Sequence, residues 1–462
     1  MAPPPGTPSA QQGSRGGWTA TRRDVHRLLS TGVVHVLVVL AGTRAMSIIQ
    51  QIVLVRLVSQ DDMGGIIYSM RIVQLLALVA GLGMTTAVLK FCSEPIDAAP
   101  IRRRYRTALA CTVPAGVAVA AVFAAVVLAT NGLGGGAGLV GPMLLLAVYL
   151  SVYAIRGLGA AYLQARKQIK KASKITFLVQ VGVLIVTVGT VLAVGVWGYY
   201  VGITVGAVVG AGLFLHVTRG AIVGQKADWT QAGRMINMGF FSILANFTGI
   251  ANATVSVMLV KWLSGSMSEV AVFGIASYVV ILVRMLPQSL RLTALPYLSG
   301  LLLDRQRLQA RIGELIRKQL PVMLAIVAAI GAGGYWLMPL VLGRAYRACY
   351  LPTMIMLTGT LIWATVFPYG LLMVICNRVR LNFLIGVLQL AASVIMAILL
   401  IPRFGALGAA VAMAISMAVV VLPKWYFARQ TLARIPLASQ AAGDAGSGID
   451  PEGGTPPSGT DR

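Results

Sequence analysis

Five arginines stand inside long apolar runs of this chain: Arg44, Arg71, Arg156, Arg284 and Arg291. Arg44 and Arg71 have no carboxylate within their own runs, and Glu269 stands at the end of the run that holds Arg284 and Arg291. A cation at membrane depth costs roughly 2.5–3.5 kcal/mol on insertion scales, so such residues face a bundle interior or a wet cavity in preference to lipid. A guanidinium keeps its charge and binds phosphate through two parallel N–H bonds. An acid-free set of arginines therefore suits an anionic cargo. Arg44, Arg71, Arg284 and Arg291 form a candidate ladder for it, at different depths. Arg156 and Arg291 lie nearer one face, where snorkelling or packing accounts for them equally well.

Neutral polar residues share these runs. Gln50, Asn246 and Asn252 are the candidates for contact with a polar cargo, and Gln51, Gln74 and Gln288 accompany them. The ordinary role of such amides is hydrogen-bonding glue between helices. Cys92, Cys111, Cys349 and Cys376 have no CxxC spacing and no histidine cluster, which points to neither a metal site nor a disulfide framework. With no nucleophile–base set and no phosphate-binding lysine loop, the expectation is a non-enzyme without a cofactor.

The elements that must hold these residues are membrane helices. Of 462 residues, 57% are hydrophobic and only 11% charged, far below the roughly 25% charged of soluble domains. Apolar runs of about 20 residues recur, each long enough to cross a bilayer as a helix. Alternating ten-residue segments, the mark of an outer-membrane barrel, are absent. Spans are expected at about 31–56, 64–89, 107–130, 138–165, 174–196, 199–218, 235–262, 269–301, 319–341, 353–375, 381–401 and 405–428. The fold class is all-α and polytopic.

The net charge of +25 would suggest nucleic acid in a soluble chain. Here the basic residues collect in alternate loops, such as Lys90 with Arg102, Arg103, Arg104 and Arg106, and Arg166 to Lys174. The other loops hold only Arg56, Lys261, Arg344, Arg347 and Arg403. By the positive-inside rule both termini lie in the cytoplasm. All acids fall in loops, at span ends or in the tails. Residues 1–28 and 431–462 are rich in Gly, Pro and small polar residues and are expected to be disordered. Arg22, Arg23 and Arg27 before the first run imitate a signal peptide, but no small-residue cleavage site follows, so the run is read as an uncleaved first span.

Shifting the chain by 206 positions lays Phe177-Leu178 over Phe383-Leu384 and Gly202 over Gly408, while Val55 to Ser59 resembles Val260 to Ser264. Six spans per half would make a parallel repeat about an axis along the membrane normal. The domains are then an N-terminal lobe over 29–220, a linker over 221–234 and a C-terminal lobe over 235–430.

Particular motifs are familiar. Arg56-Leu57-Val58-Ser59 with Met63-Gly64 resembles the R-L-S-x-x-x-(F/Y)-G turn of polysaccharide and oligosaccharide flippases, within the multidrug/oligosaccharidyl-lipid/polysaccharide exporter superfamily. Gly81-Leu82-Gly83 is similar to the G-L-G before that family's first cytoplasmic loop. Leu295 to Ser299, Leu342 to Tyr346 and, most specifically, Ile401 to Ala410 resemble further motifs in the expected order. Met63 stands where the family usually has an aromatic residue.

The resemblance implies two six-helix lobes in a V, with helices 1, 2, 7 and 8 lining a central cleft and alternating access across it. It implies a monomeric flippase of the bacterial inner membrane that moves an isoprenoid-diphosphate-linked oligosaccharide to the outer leaflet for cell-surface polysaccharide, beside membrane lipids and with a polymerase and glycosyltransferases as partners. Nucleic acid is not expected. The alternatives are export of another anionic or amphipathic compound, including the peptidoglycan lipid precursor, or a non-transporting scaffold for the assembly enzymes. Drug antiporters of the superfamily usually hold an intramembrane acid, and this chain has none.

Overall fold

The computed structural model describes residues 33–94, 97–132, 137–224, 226–299, 305–376 and 378–433. They form thirteen α-helices with no strand among the described residues. These are α1 (Val33–Leu57), α2 (Gln60–Ala80), α3 (Met84–Phe91), α4 (Ala98–Ala129), α5 (Val140–Ala165), α6 (Ile169–Val194) and α7 (Val196–Thr218). They continue as α8 (Trp229–Ser264), α9 (Met267–Ser299), α10 (Arg305–Leu342), α11 (Tyr350–Ile375), α12 (Val379–Val419) and α13 (Val421–Ala433). The tails expected to be disordered lie almost wholly outside the described residues.

Among the described residues nine helical segments are long and apolar enough to cross a membrane, or ten with the bent α8, against the twelve spans expected; the stretch from α12 to α13 counts once there although it reverses inside. α2 and α3 make one span interrupted at Gly81-Leu82-Gly83, where Leu82 and Gly83 take φ of 48° and 60°. α12 is too long for one crossing at about 1.5 Å per residue. It folds back at Gly405 (φ 55°, ψ −132°), a conformation open only to glycine. A Cβ on Gly408 would lie 2.4 Å from the Leu400 carbonyl oxygen, so the two arms run back to back. The same device joins α6 to α7. Gly195 has φ 65° and ψ −144°, and a Cβ on Gly198 would lie 2.0 Å from the Thr190 carbonyl oxygen.

The internal repeat is therefore visible in packing. α1 packs on α6 as α8 packs on α12, α4 on α5 as α10 on α11, and α5 on α7 as α11 on α13. At the hairpins the structural equivalence is Gly195 and Gly198 with Gly405 and Gly408, a register four residues from the one that overlays Gly202 on Gly408.

For reference, the face with the Ser59, Gly195, Gly265 and Gly405 turns is the turn face, and the other is the basic face. The two bundles meet where α2 packs against α9 and α8, α3 and α4 against α8, and α1 against α10. In α2 72% of the apolar window is buried and in α9 61%, against 17–44% in the other spanning helices, so these two form the axis of the molecule.

Candidate functional site

α2 begins where its sequence dictates. Ser59 accepts from the Asp62 amide at 3.1 Å and donates to the Asp62 carboxylate at 2.7 Å, and Asp61 and Asp62 complement the positive helix end. Eleven residues on, about 16 Å down the axis, stands Arg71, only 7% exposed. Its guanidinium donates to the Gln74 side-chain oxygen at 3.3 Å and lies 5.4 Å from the Tyr278 ring centre on α9. Its carbonyl accepts from the Thr254 hydroxyl on α8 at 3.1 Å. Thr254 lies about 15 Å and Tyr278 about 16 Å from the turn-face ends of their helices. Three helices from the two bundles thus place polar groups at one level, near the middle of a hydrocarbon core of about 30 Å.

That level is unsatisfied. Nε of Arg71 and Oδ1 of the equally buried Asn252 have no hydrogen-bond partner. No described acid stands there. Asp61, Asp62, Asp97 and Asp228 lie at or beside helix starts, and Glu94 pairs with Arg104 at 2.5 Å. Glu314 pairs with Lys318 at 2.5 Å and with Arg311. Glu269 accepts from the Ala406 amide at 2.6 Å, satisfying a backbone donor freed by the Gly405 reversal. The chemistry on offer is a desolvated guanidinium and neutral donors, which favours an anion with polar substituents.

Above and below this level the seam is shut by backbone contact. On the turn face a Cβ on Gly64 would lie 2.0 Å from the Met267 carbonyl oxygen, and one on Gly274 would meet the Ile67 side chain at 2.6 Å. On the basic face a Cβ on Gly83 would lie 2.1 Å from the Gly239 carbonyl oxygen. Thr86 and Ser242 share a hydrogen bond of 2.8 Å beside it.

The remaining candidates are dispersed. Gln50 is buried in the N-terminal bundle, accepting from Gln180 of α6 at 3.4 Å. Asn246 donates to the Ser242 carbonyl of its own helix at 2.8 Å, beside a 46° bend in α8. A side chain on that carbonyl competes with the helical ladder and accounts for the bend. Arg284 turns from the seam into the C-terminal bundle, 4.7 Å from the Trp363 ring centre. Arg44 and Arg291 stand in α1 and α9, and their side chains lie outside the described residues. Sequence reasoning missed Thr254 and Tyr278, whose residue types are common in spans.

A family profile described as "Polysaccharide biosynthesis protein" matches residues 53–351, from α1 through the start of α11. The chain belongs to the polysaccharide biosynthesis protein family. The match carries Arg71, Thr254, Tyr278 and Arg284, and leaves the Ile401 to Ala410 motif beyond its end. No curated protein sequence matches significantly. Among solved structures, the lipid II flippase MurJ in an inward closed conformation overlays with a TM-score of 0.71 at 11% identity, covering 90% of this chain and 94% of that one. An inward-facing multidrug resistance MATE family transporter of the MOP superfamily gives 0.69 at 12% identity, over 87% and 98%. A MOP superfamily transporter from Pyrococcus furiosus gives 0.62 at 12%, over 87% and 96%. At such identities the likeness is one of fold. This polysaccharide biosynthesis family member has the fold of multi-pass MOP transporters, and its structural neighbours are transporters, not enzymes.

Proposed function

We propose that the chain is a flippase that carries an isoprenoid-diphosphate-linked oligosaccharide from the leaflet at the basic face to the leaflet at the turn face. In this reading the basic face is cytoplasmic, both termini lie there, and the membrane is the bacterial inner membrane. The observation that carries it is the polar level at Arg71: one buried guanidinium, bridged to both bundles, with no acid among the described residues beside it. A diphosphate crossing the apolar core needs such a charge, and the family supplies polysaccharide assembly as the setting. Both walls of the seam come from one chain, so a monomer suffices. A polymerase and glycosyltransferases would consume and supply the cargo.

The seals above and below Arg71 give the reading a mechanism. Opening the Gly83–Gly239 contact admits the headgroup from the basic face, and opening the Gly64–Met267 contact releases it on the other. The test is a deletion strain complemented with wild type, Arg71→Gln or Arg71→Lys, scored for lipid-linked oligosaccharide held in the cytoplasmic leaflet. Wild type should clear the lipid, Arg71→Lys partly, and Arg71→Gln should leave it accumulated. Full clearance by Arg71→Gln in a stably expressed protein would refute the proposal.

A further inference from the structure

α2 is the most enclosed of the spanning helices, yet Gln74 in its interior is exposed. It stands three residues from Arg71 toward the basic face, about 5 Å along the axis and about 14 Å short of the Gly83 seal. A headgroup arriving from the basic face therefore meets Gln74 before Arg71. The Gln74 side-chain oxygen accepts the one hydrogen bond that the Arg71 guanidinium makes among the described residues. That bond is 3.3 Å long, against roughly 2.7–2.9 Å for a guanidinium on an anionic oxygen. Nε of the same guanidinium has no partner, and the Tyr278 ring centre lies 5.4 Å away.

An amide in a span ordinarily joins two helices, but the partner of Gln74 lies on its own helix, so this bond joins none. A long bond to a neutral oxygen satisfies a buried cation only in part, and an anionic oxygen in its place is held more strongly. An exposed side chain can change rotamer without unpacking its neighbours. Resting on the flippase reading, we propose that Gln74 is a positioning residue whose oxygen stands in for a diphosphate oxygen on Arg71. It holds the guanidinium between cargoes and gives way as the headgroup arrives. Its neutrality is what keeps the site selective for anions. A carboxylate of the same shape would pair with Arg71 three residues away and cancel the charge that the cargo needs. A merely structural role makes the opposite demand, because a charged acceptor would strengthen the bond and an apolar side chain would abolish it.

The test uses the full chain in nanodiscs of zwitterionic lipid. Thermal stabilisation is titrated with farnesyl diphosphate and, as the uncharged probe, with farnesol. Wild type should be stabilised saturably by the diphosphate and not by the alcohol. Gln74→Met removes the competing oxygen and should tighten diphosphate binding about threefold or more. Gln74→Glu should weaken it about tenfold or more, and should raise the melting temperature measured before any diphosphate is added. Gln309→Glu, at the exposed start of α10, makes the same change of charge outside the seam and should bind as wild type does. Binding by Gln74→Glu within about twofold of wild type, or by Gln74→Met no tighter than wild type, overturns the proposal. If Gln74→Glu fails to fold, the direction of the Gln74→Met shift decides alone. Arg71→Gln separates the two readings. Diphosphate binding that is absent from wild type, or indifferent to Arg71→Gln, sinks the flippase reading and this proposal together. Binding that needs Arg71 but ignores the charge at Gln74 sinks this proposal alone.

Discussion

Arg56 near the end of α1 caps a helix in the opposite bundle. Its Nε donates to the Val341 carbonyl at 2.8 Å and its Nη2 to that of Leu340, two of the carbonyls in the last turn of α10, which ends at Leu342. A helix C-terminus leaves such oxygens without partners and carries partial negative charge, so a guanidinium is well suited to it. This is one of the few contacts by which α1 touches the C-terminal bundle, and it lies on the turn face.

Replacing Arg56 with Ala should therefore favour opening of the turn face. Spin labels on Leu57→Cys and Arg344→Cys should report a new longer distance, its population raised about five- to tenfold for roughly 1 kcal/mol of lost contact. Arg56→Lys should fall between. An unchanged distance distribution would remove Arg56 from the gating argument.

The basic-face seal makes a steric prediction. Gly239→Ala places a methyl against the Leu82 carbonyl at 2.1 Å, whereas Gly249→Ala, on the same helix, meets nothing within 4 Å. The first should hold the basic face open, raising the labelling of Ser242→Cys by a membrane-impermeant thiol reagent about tenfold or more. The second should behave as wild type. Equal labelling in the two backgrounds would mean that the contact does not seal.

Thr254→Val keeps the shape of the level around Arg71 and removes the hydroxyl that anchors its carbonyl. A single neutral hydrogen bond is worth about 1 kcal/mol, so transport should drop about fivefold, well short of the Arg71→Gln effect. In-vitro flipping of a fluorescent lipid diphosphate in proteoliposomes measures both. A Thr254→Val loss as large as that of Arg71→Gln would mean that the hydroxyl contacts cargo directly.

Burial pushes the Cys92 thiol up to about 12, outweighing the downward pull of Arg104 and Arg166. Above its ordinary value near 8.5, an unfolded Cys92 loses a proton that the folded one keeps. Stability from this group is thus present below that value and lost as pH rises towards 12. Peptide-resolved iodoacetamide labelling should find Cys92 unreactive from about pH 7 to 9 in the native protein and reactive in the denatured one. Ready native labelling in that range would contradict its burial.

Much of this architecture was readable from residue type and spacing. Apolar run length located most of the crossings, and the breaks at Gly81 to Gly83 and at Gly405 fell at glycines, whereas the bend in α8 did not. Arg71 was readable because a lone cation in an apolar run has few places to go. The partners of that cation were not readable. Thr254 and Tyr278 meet it only through tertiary contact across the seam, and neither type is rare in a span. Arg284 was chosen by the same rule as Arg71, yet the direction of its side chain depends on Trp363 and Met417, far along the chain. Asn246 shows the limit of a residue-type argument, since its amide bonds the carbonyl one turn back, beside the bend in α8, a contact that residue type does not foretell.

The seals at Gly64 and Gly83 have one further consequence, for the speed of resetting. Backbone meets backbone at both, about 28 Å apart along α2 and α3. A joint made from long side chains must find its rotamers again each time it closes, at a cost in entropy for each one ordered. A joint of bare peptide planes has no rotamers to find. Its closing rate is then set by the swing of the bundles alone, and any side chain added there should slow the return stroke as well as widen the gap.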